Sequence, residues 1–356
     1  MKFLLMPLLW FLSLVYFLAI ELKFFFYSSG FLKKKKLPIK VICVGNISLG
    51  GTGKTSVVIY LAKMLLEKGH KVSVLSRGYG RKVRGPKSKV QCPCVVSDGE
   101  RILVTPEEVG DEPHLLARKL KSVPVIIGKD RYRSGLLAKE KFSSETVLLD
   151  DGFQRWSLER DLDIVCLDSL VPLDKEPIFP LGTLREPPSA LKRAGLILLN
   201  HVNLISEKEL NWWYWYLKKV CPQVPIVEGI YQPLRLHQLS NESPLIGIEF
   251  LKNKEVILFS TIANPYAFKK IVEHLNVKVI KHYFFPDHYC YKERDLLPLR
   301  EGHHLMLTTE KDEVKLKKFI SSELSISFEK TYILEVELQI VRGKDVWEEK
   351  IKQFCR

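Results

Sequence analysis

From residue 39 onward, short apolar and β-branched runs alternate with longer stretches in which apolar residues recur at helical spacing. The runs fall at 41–44, 72–75, 123–127, 146–149, 164–167 and 196–199, with helix-like segments such as 56–68 and 113–121 between several of them. Strands buried on both faces read as continuous Val/Ile/Leu runs, and strands that alternate with helices fold into a mostly parallel sheet. The pattern predicts an α/β fold with a doubly wound, mostly parallel sheet. Around 231–244 the chain turns polar and gains prolines, which predicts a hinge or linker. A second set follows, with strands at 255–260, 277–283, 305–308 and 332–339 and a helix over 265–275. The expectation is a main domain over 31–235 and a smaller α/β domain over 245–356 beside it.

The N-terminal 30 residues break this pattern. Phe3 to Ile20 runs without a charge, about the lower limit for crossing a bilayer, and Phe24-Phe25-Phe26-Tyr27 resumes the apolar character after Glu21 and Lys23. No small-residue cleavage site follows cleanly, which argues against a secretory signal. Lys33-Lys34-Lys35-Lys36 comes just after, where it would press on anionic headgroups and keep the following domain cytoplasmic. Pro7 and Ser13 leave a shallow interfacial helix as the alternative to a spanning one. Either way the segment predicts membrane attachment. A second aromatic group, Trp212-Trp213-Tyr214-Trp215-Tyr216, sits in a helical context and reads as core or interface packing, with membrane or acyl contact as the alternative.

Charge and cysteine usage narrow the partners. With 55 basic against 41 acidic side chains, the chain carries +14, an excess that favours anionic partners. No zinc-finger spacing, homeodomain pattern or RNA-recognition aromatic motif is present, so nucleic acid is not expected. Seven cysteines in 356 residues form no disulfide framework and fit a reducing compartment. Cys92-Pro93-Cys94 lacks the matching second pair that a zinc site needs.

The chemistry concentrates at the ends of the predicted strands. Ser48-Leu49-Gly50-Gly51-Thr52-Gly53-Lys54-Thr55 joins the first strand to a helix. Such a loop curls its backbone N–H groups around phosphate oxygens, and the helix N-terminus adds its positive end. Lys54 would reach the β/γ-phosphates and Thr55 would ligate Mg²⁺, so the chain is expected to bind a nucleoside triphosphate, although Ser48 replaces the usual leading glycine. The strand at 146–149 ends in Asp150-Asp151-Gly152-Phe153-Gln154, and either acid supplies the carboxylate that such a site needs for its metal. Ser76-Arg77-Gly78-Tyr79-Gly80-Arg81 follows another strand, where open α/β sheets bind ligands; Arg77, Tyr79 and Arg81 are candidate substrate contacts. Gly110-Asp111-Glu112-Pro113 opens a helix, so its acids need be no more than first-turn acids. Leu184-Arg185-Glu186-Pro187 reads as a turn, and Pro286-Asp287-His288-Tyr289 as a loop whose Asp–His pair could serve a hydroxyl nucleophile.

Taken together and in order, these motifs resemble the tetraacyldisaccharide 4'-kinase family of lipid A biosynthesis. The resemblance runs from the N-terminal apolar segment and Val44–Thr55, through the Arg77, Asp111 and Asp150 motifs and Arg160-Asp161-Leu162-Asp163-Ile164. It ends with Gly182-Thr183-Leu184-Arg185-Glu186-Pro187, Asn264-Pro265, Phe285-Pro286-Asp287-His288-Tyr289 and Thr309-Glu310-Lys311-Asp312. It implies a P-loop kinase that uses ATP and Mg²⁺ to phosphorylate the 4'-hydroxyl of tetraacyldisaccharide 1-phosphate at the cytoplasmic face of a Gram-negative inner membrane. By the same resemblance Asp111 acts as base with His288 as partner, Arg185 stabilises the transferring phosphoryl group, and Glu186 helps hold Mg²⁺. Arg155 stands where the family typically has histidine, and Ala194-Gly195 where an alanine-aspartate pair is usual. Two other readings share the loop. One is a membrane-associated switch or targeting ATPase, against which Leu49 replaces the lysine those proteins carry; the other is a kinase for a different lipid-linked sugar.

Overall fold

Alternation of buried side chains along the first strand already implies a sheet covered on both faces. Val41 and Cys43 enter one apolar core, Ile42 and Val44 the other, and all four are buried. The computed structural model describes residues 2–78, 93–239, 244–300, 304–320, 328 and 330–354. An N-terminal helix α1 (Lys2–Ser28) precedes β1 (Lys40–Gly45), α2 (Lys54–Glu67), β2 (Val72–Ser76), β3 (Cys94–Ser97), α3 (Pro106–Val109) and α4 (Asp111–Lys119). The chain continues through β4 (Val125–Ile127), α5 (Arg131–Phe142), β5 (Thr146–Asp150), β6 (Leu162–Asp168), β7 (Leu196–Asn200) and α6 (Glu207–Val220). Next come β8 (Ile226–Gln238), β9 (Leu245–Ile246), β10 (Glu255–Ser260), α7 (Pro265–Glu273) and β11 (Lys278–Phe284). The last elements are α8 (Glu293–Arg300), β12 (Leu305–Thr309), α9 (Glu310–Leu316), β13 (Thr331–Arg342) and α10 (Lys344–Phe354).

The strands form one 13-stranded sheet in the order β11-β10-β12-β13-β8-β7-β6-β1-β5-β2-β4-β3, with β9 paired to β8. Pairing is parallel except at β3–β4, β8–β9 and β8–β13. The mostly parallel α/β sheet predicted from the apolar runs is therefore present. Among the described residues, most of the expected linker at 231–244 is strand instead. Residues 231–238 are the second half of β8, a 13-residue strand whose start runs parallel to β7 and whose remainder pairs antiparallel with β13. This strand joins the two sets of parallel strands into one sheet.

Helix α2 shows how the sequence fixes its seat. Its buried residues Val57, Val58, Leu61, Ala62 and Leu65 recur at three- and four-residue spacing, which sets them on one face against the sheet. Each large side chain among them contributes about 1.5–3 kcal/mol by burial.

Helix α1 is 27 residues long and runs through Pro7. Within it, residues 6–28 are long and apolar enough to cross a membrane, and few of them are buried. One seam holds it to the body: Ser13 donates to the carbonyls of Ile178 and Phe179, Tyr16 meets Phe179, and Phe24 meets Trp156. The rest of its surface exposes Leu8, Trp10, Phe11, Leu18 and Phe25. In α6, Trp213 is buried and donates its indole N–H to the Ser169 carbonyl, while Trp212 stacks on Tyr216; only Trp215 among the five aromatics is exposed. Trp213 is thus a core residue, while Trp212, Tyr214 and Tyr216 are half-buried beside it. Cys43, Cys94, Cys166, Cys221 and Cys290 are free thiols, whereas Cys92 and Cys355 lie outside the described residues.

Candidate active site

The loop between β1 and α2 lies in a cleft of about 1430 Å³, whose walls include Gly50, Gly51, Lys54, Thr55, Asp150, Asp151 and Arg185. Its backbone is shaped by residues from well outside the motif. Asn46 braces it from within, donating to the Gly50 carbonyl (3.4 Å) and to Thr52 Oγ1 (3.2 Å). Asn200, at the end of β7, donates to the Thr52 carbonyl at 2.7 Å. The Gly182–Pro187 segment clips the other edge: Leu49 N–H donates to the Thr183 carbonyl (2.6 Å) and Arg185 N–H to the Ile47 carbonyl (2.7 Å). Ser48 is buried in this clip and Leu49 is exposed. Gly53 caps α2 at φ +81°, a left-handed conformation. A Cβ there would also collide with the Tyr231 hydroxyl, which donates to the Gly53 carbonyl at 3.2 Å.

Positive charge gathers at Asp151. Lys54 Nζ stands 3.6 Å from its carboxylate, and Arg185 donates to both of its oxygens at 2.9 Å. Burial alone would raise the Asp151 pKa, but Lys54 and Arg185 outweigh it and bring the group to about 2. Its neighbour behaves oppositely. Burial, with Glu112 and Asp151 adding, pushes Asp150 up to about 7 although Ser76 donates to it at 3.0 Å. Thr55 lies on the same cleft wall. A buried carboxylate short of cationic partners, beside an ionised one and a hydroxyl, is a donor set that suits Mg²⁺. Glu186 is a different matter. It is 1% exposed, its oxygens accept from Gln154 (2.7 Å) and Arg193 (2.6 Å), and it is absent from the cleft wall. Arg185 and Glu186 sit at a bend where both N–H groups donate to the Ile47 carbonyl; the Glu186 side chain braces Gln154, which in turn donates to the Asn46 carbonyl at 2.8 Å.

A second charged group closes another side of the cleft. Asp111, the first residue of α4, meets His288 Nδ1 at 3.2 Å through Oδ1 and Lys315 Nζ at 3.1 Å through Oδ2. Its neighbour Glu112 meets Lys311 at 2.9 Å, and Lys311 also meets Asp287 at 2.9 Å. Burial would raise Asp111, but the His288 hydrogen bond with Lys311 and Lys315 holds it well below the usual carboxylate range. The Asp111 hydrogen bond raises His288 in return, against the effect of burial. The first-turn acids of α4 thus have cations brought to them from β12–α9 and from the loop after β11.

The structure brings Lys54, Thr55, Asp150, Asp151, Arg185 and His288 to one cleft, with Asp111 behind His288. Arg77 is exposed just past the C-terminal end of β2, the strand next to β5; Tyr79 and Arg81 lie outside the described residues. Sequence reasoning missed a polar group on the opposite side of the loop. Asp168, at the end of β6, accepts from Asn264 (2.6 Å) and contacts His201 (3.0 Å), whose ring lies 4.8 Å from that of Tyr231. His201 and Asn264 directly follow apolar strands or begin a helix, the same positional signal that exposed Asp150.

A strand–glycine loop–helix with a lysine and hydroxyl at the helix start, strand-terminal carboxylates and a cationic arginine define a P-loop phosphotransferase. Within that class the assignment is specific. Residues 5–356 match the model of the Tetraacyldisaccharide-1-P 4'-kinase family, and the chain belongs to it. It is 38% identical to the tetraacyldisaccharide 4'-kinase of Aquifex aeolicus over 328 residues, covering 92% of this chain and 91% of that one. The enzyme of the same name from Halothermothrix orenii is 36% identical over 347 residues, covering 92% and 88%. The crystal structure of LpxK from Aquifex aeolicus in complex with ATP superposes with a TM-score of 0.72 at 34% identity, covering 99% of this chain and 98% of that one.

Proposed function

We propose that this chain transfers the γ-phosphate of ATP to the 4'-hydroxyl of tetraacyldisaccharide 1-phosphate, giving lipid IVA. The observation that carries the reading is the Asp111–His288 pair, held at 3.2 Å beside the cleft that contains the phosphate loop, in a chain of this kinase family. Asp111 accepts the proton of the sugar hydroxyl, and His288 orients the carboxylate and shares the developing charge. Lys54 and Arg185 place two cations where the transferring phosphoryl group carries its negative charge. Thr55, Asp150 and Asp151 would hold Mg²⁺, which when bound neutralises charge on the phosphate oxygens. Arg77, Tyr79 and Arg81 serve the acceptor.

The same proposal assigns residues 245–356 as the smaller lobe, which carries His288 onto Asp111 of the main lobe over 31–235, and closure excludes water from the transfer. The exposed apolar surface of α1 and the exposed Lys33–Lys36 run that follows support attachment to an anionic membrane, at the cytoplasmic face of the inner membrane. The test is a transfer assay with radiolabelled ATP, Mg²⁺ and detergent-dispersed tetraacyldisaccharide 1-phosphate. A bisphosphorylated product is expected. Consumption of ATP without that product would refute the acceptor assignment.

A further inference from the structure

The segment Thr309-Glu310-Lys311-Asp312 belongs to the resemblance, yet the transfer mechanism gives it no task. In the structure it builds a seat for one ammonium group. Asp312 is fully buried and accepts from four donors: the Thr261 N–H (3.0 Å), the Thr261 hydroxyl, the Tyr291 hydroxyl (2.7 Å) and the Thr309 hydroxyl (2.7 Å). With its proton given to Asp312, Thr261 Oγ1 is left as an acceptor, and Lys315 Nζ donates to it at 2.6 Å. The same ammonium stands 3.1 Å from Asp111 Oδ2, and both side chains are more than nine-tenths buried. The order Asp312, Thr261, Lys315, Asp111, His288 is therefore one continuous polar chain from the core of the smaller lobe to the base.

We propose that Lys315 is a positioning residue for the phosphoryl transfer: seated on Thr261 and Asp312, it holds one oxygen of Asp111 and leaves the other to His288. The proposal rests on the reading of Asp111 as the base. A carboxylate can rotate about its last bond, and a base is effective only when aimed, since a misplacement of about 1 Å costs roughly 100-fold in rate. Lysine suits the task here because its hydrogen bond to Thr261 leaves two further donors on the same nitrogen, which faces the otherwise unpartnered Asp111 Oδ2 at 3.1 Å. The groups facing Asp111 are Lys315 and Lys311 from α9, His288 from the loop after β11, and Glu112 beside it on α4. Lys311 is engaged by Glu112 and Asp287, so Lys315 is the cation that touches Asp111 itself.

The experiment compares wild type, Lys315→Met, Lys315→Arg and Asp111→Asn in the acceptor assay at about pH 8, with thermal midpoints measured in parallel and the acidic limb of the Asp111 carboxyl followed by carbon-13 NMR from about pH 2 to pH 6. Lys315→Met is expected to lower kcat by roughly 10–100-fold with the KM for ATP within about twofold of wild type. Its acidic limb should move up by about one pH unit, because a carboxylate that loses an adjacent cation protonates at higher pH. Lys315→Arg should recover much of the rate and return the limb. Wild-type kcat with an unmoved limb in Lys315→Met would overturn the proposal. So would equal losses in Met and Arg variants with the limb in place, the mark of a purely structural role. If Asp111→Asn is inactive while Lys315→Met is normal, only the lysine assignment fails; a fully active Asp111→Asn removes the base reading and this proposal together. Should Lys315→Met not fold, Thr261→Val withdraws the hydroxyl beneath the ammonium: a limb displaced upward supports the assignment, and an unmoved limb rejects it.

Discussion

His237 is wedged between two buried carboxylates, and its replacement by glutamine makes a pH-dependent prediction. On β8, its Nε2 lies 3.3 Å from Glu313 and its Nδ1 lies 3.1 Å from Glu335, and the three side chains are 14%, 3% and 8% exposed. Burial would lower the His237 pKa, but its hydrogen bonds to Glu313 and Glu335 prevail and raise it from 6.5 to about 9. A group whose folded pKa exceeds its unfolded one stabilises the fold fully below the unfolded value and loses that effect as pH rises through the folded value. The window here is pH 6.5 to about 9. A rise of this size corresponds to on the order of 3 kcal/mol. His237→Gln should lose less, because Glu313 keeps Arg118 and Lys317 while Glu335 keeps Lys119 and Arg235. The expected loss is roughly 1–3 kcal/mol near pH 6. Urea unfolding of both proteins at about pH 6, 7.5 and 10, followed by tryptophan fluorescence, gives the difference at each pH. It should be largest at the lowest pH and shrink towards the highest. A difference that stays constant would show that His237 contributes through packing alone and that the charge argument is wrong.

Three further outcomes test the site and the anchor. Lys54→Ala should abolish measurable transfer and weaken ATP binding by at least about tenfold in a fluorescent-nucleotide titration, since the loop loses its one side-chain cation. Gly53→Ala forces a side chain into the left-handed region, at about 1–2 kcal/mol, and onto the Tyr231 hydroxyl; the KM for ATP should rise and the thermal midpoint fall together. Replacing Trp10 and Phe11 by serine should reduce sedimentation with anionic vesicles while soluble ATP binding is retained, because both side chains point away from the body of the protein.

How far the chain can be read in advance depends on the range of the interactions that decide each feature. The phosphate loop and the Asp150–Asp151 pair are local signals, one strand, one turn and the residue types that follow, so the motif is legible even though Asn200 and the Gly182–Pro187 segment brace it from afar. Tyr231 was hidden by Pro233, which suggested a linker. In the structure Pro233 pairs with Val336 next to a register shift, where Leu234 is the extra residue, and a bulge is where a strand tolerates proline. The neighbours Arg185 and Glu186 illustrate the reverse error. The resemblance assigned both to the site, but the chain bends here, and Arg185 reaches Asp151 whereas Glu186 pairs with Arg193. Lys315 was invisible for a third reason, since its partner Asp111 lies on a distant element and no local pattern marks the pair.

The placement of these groups on the sheet carries a mechanical consequence. The residues proposed to hold phosphate come from the β1 and β5 strand ends and the Thr183–Arg185 turn, all on one side of the β8–β13 pairing. His288, Lys311 and Lys315 come from the other side and reach α4 across the cleft. Along that line, above an apolar core shared by both sides, lie four ion pairs: Arg118 with Glu313, Lys119 with Glu310, Lys311 with Glu112 and Lys315 with Asp111. An apolar seam of the same extent would cost about 25 cal/mol for every Å² exposed on opening. An ionic seam instead exchanges partners for water, and its charges regain hydration as they part. On the proposed mechanism, in which Asp111 is the base, its pairing with His288 and Lys315 ties the base to the contact between the two sides.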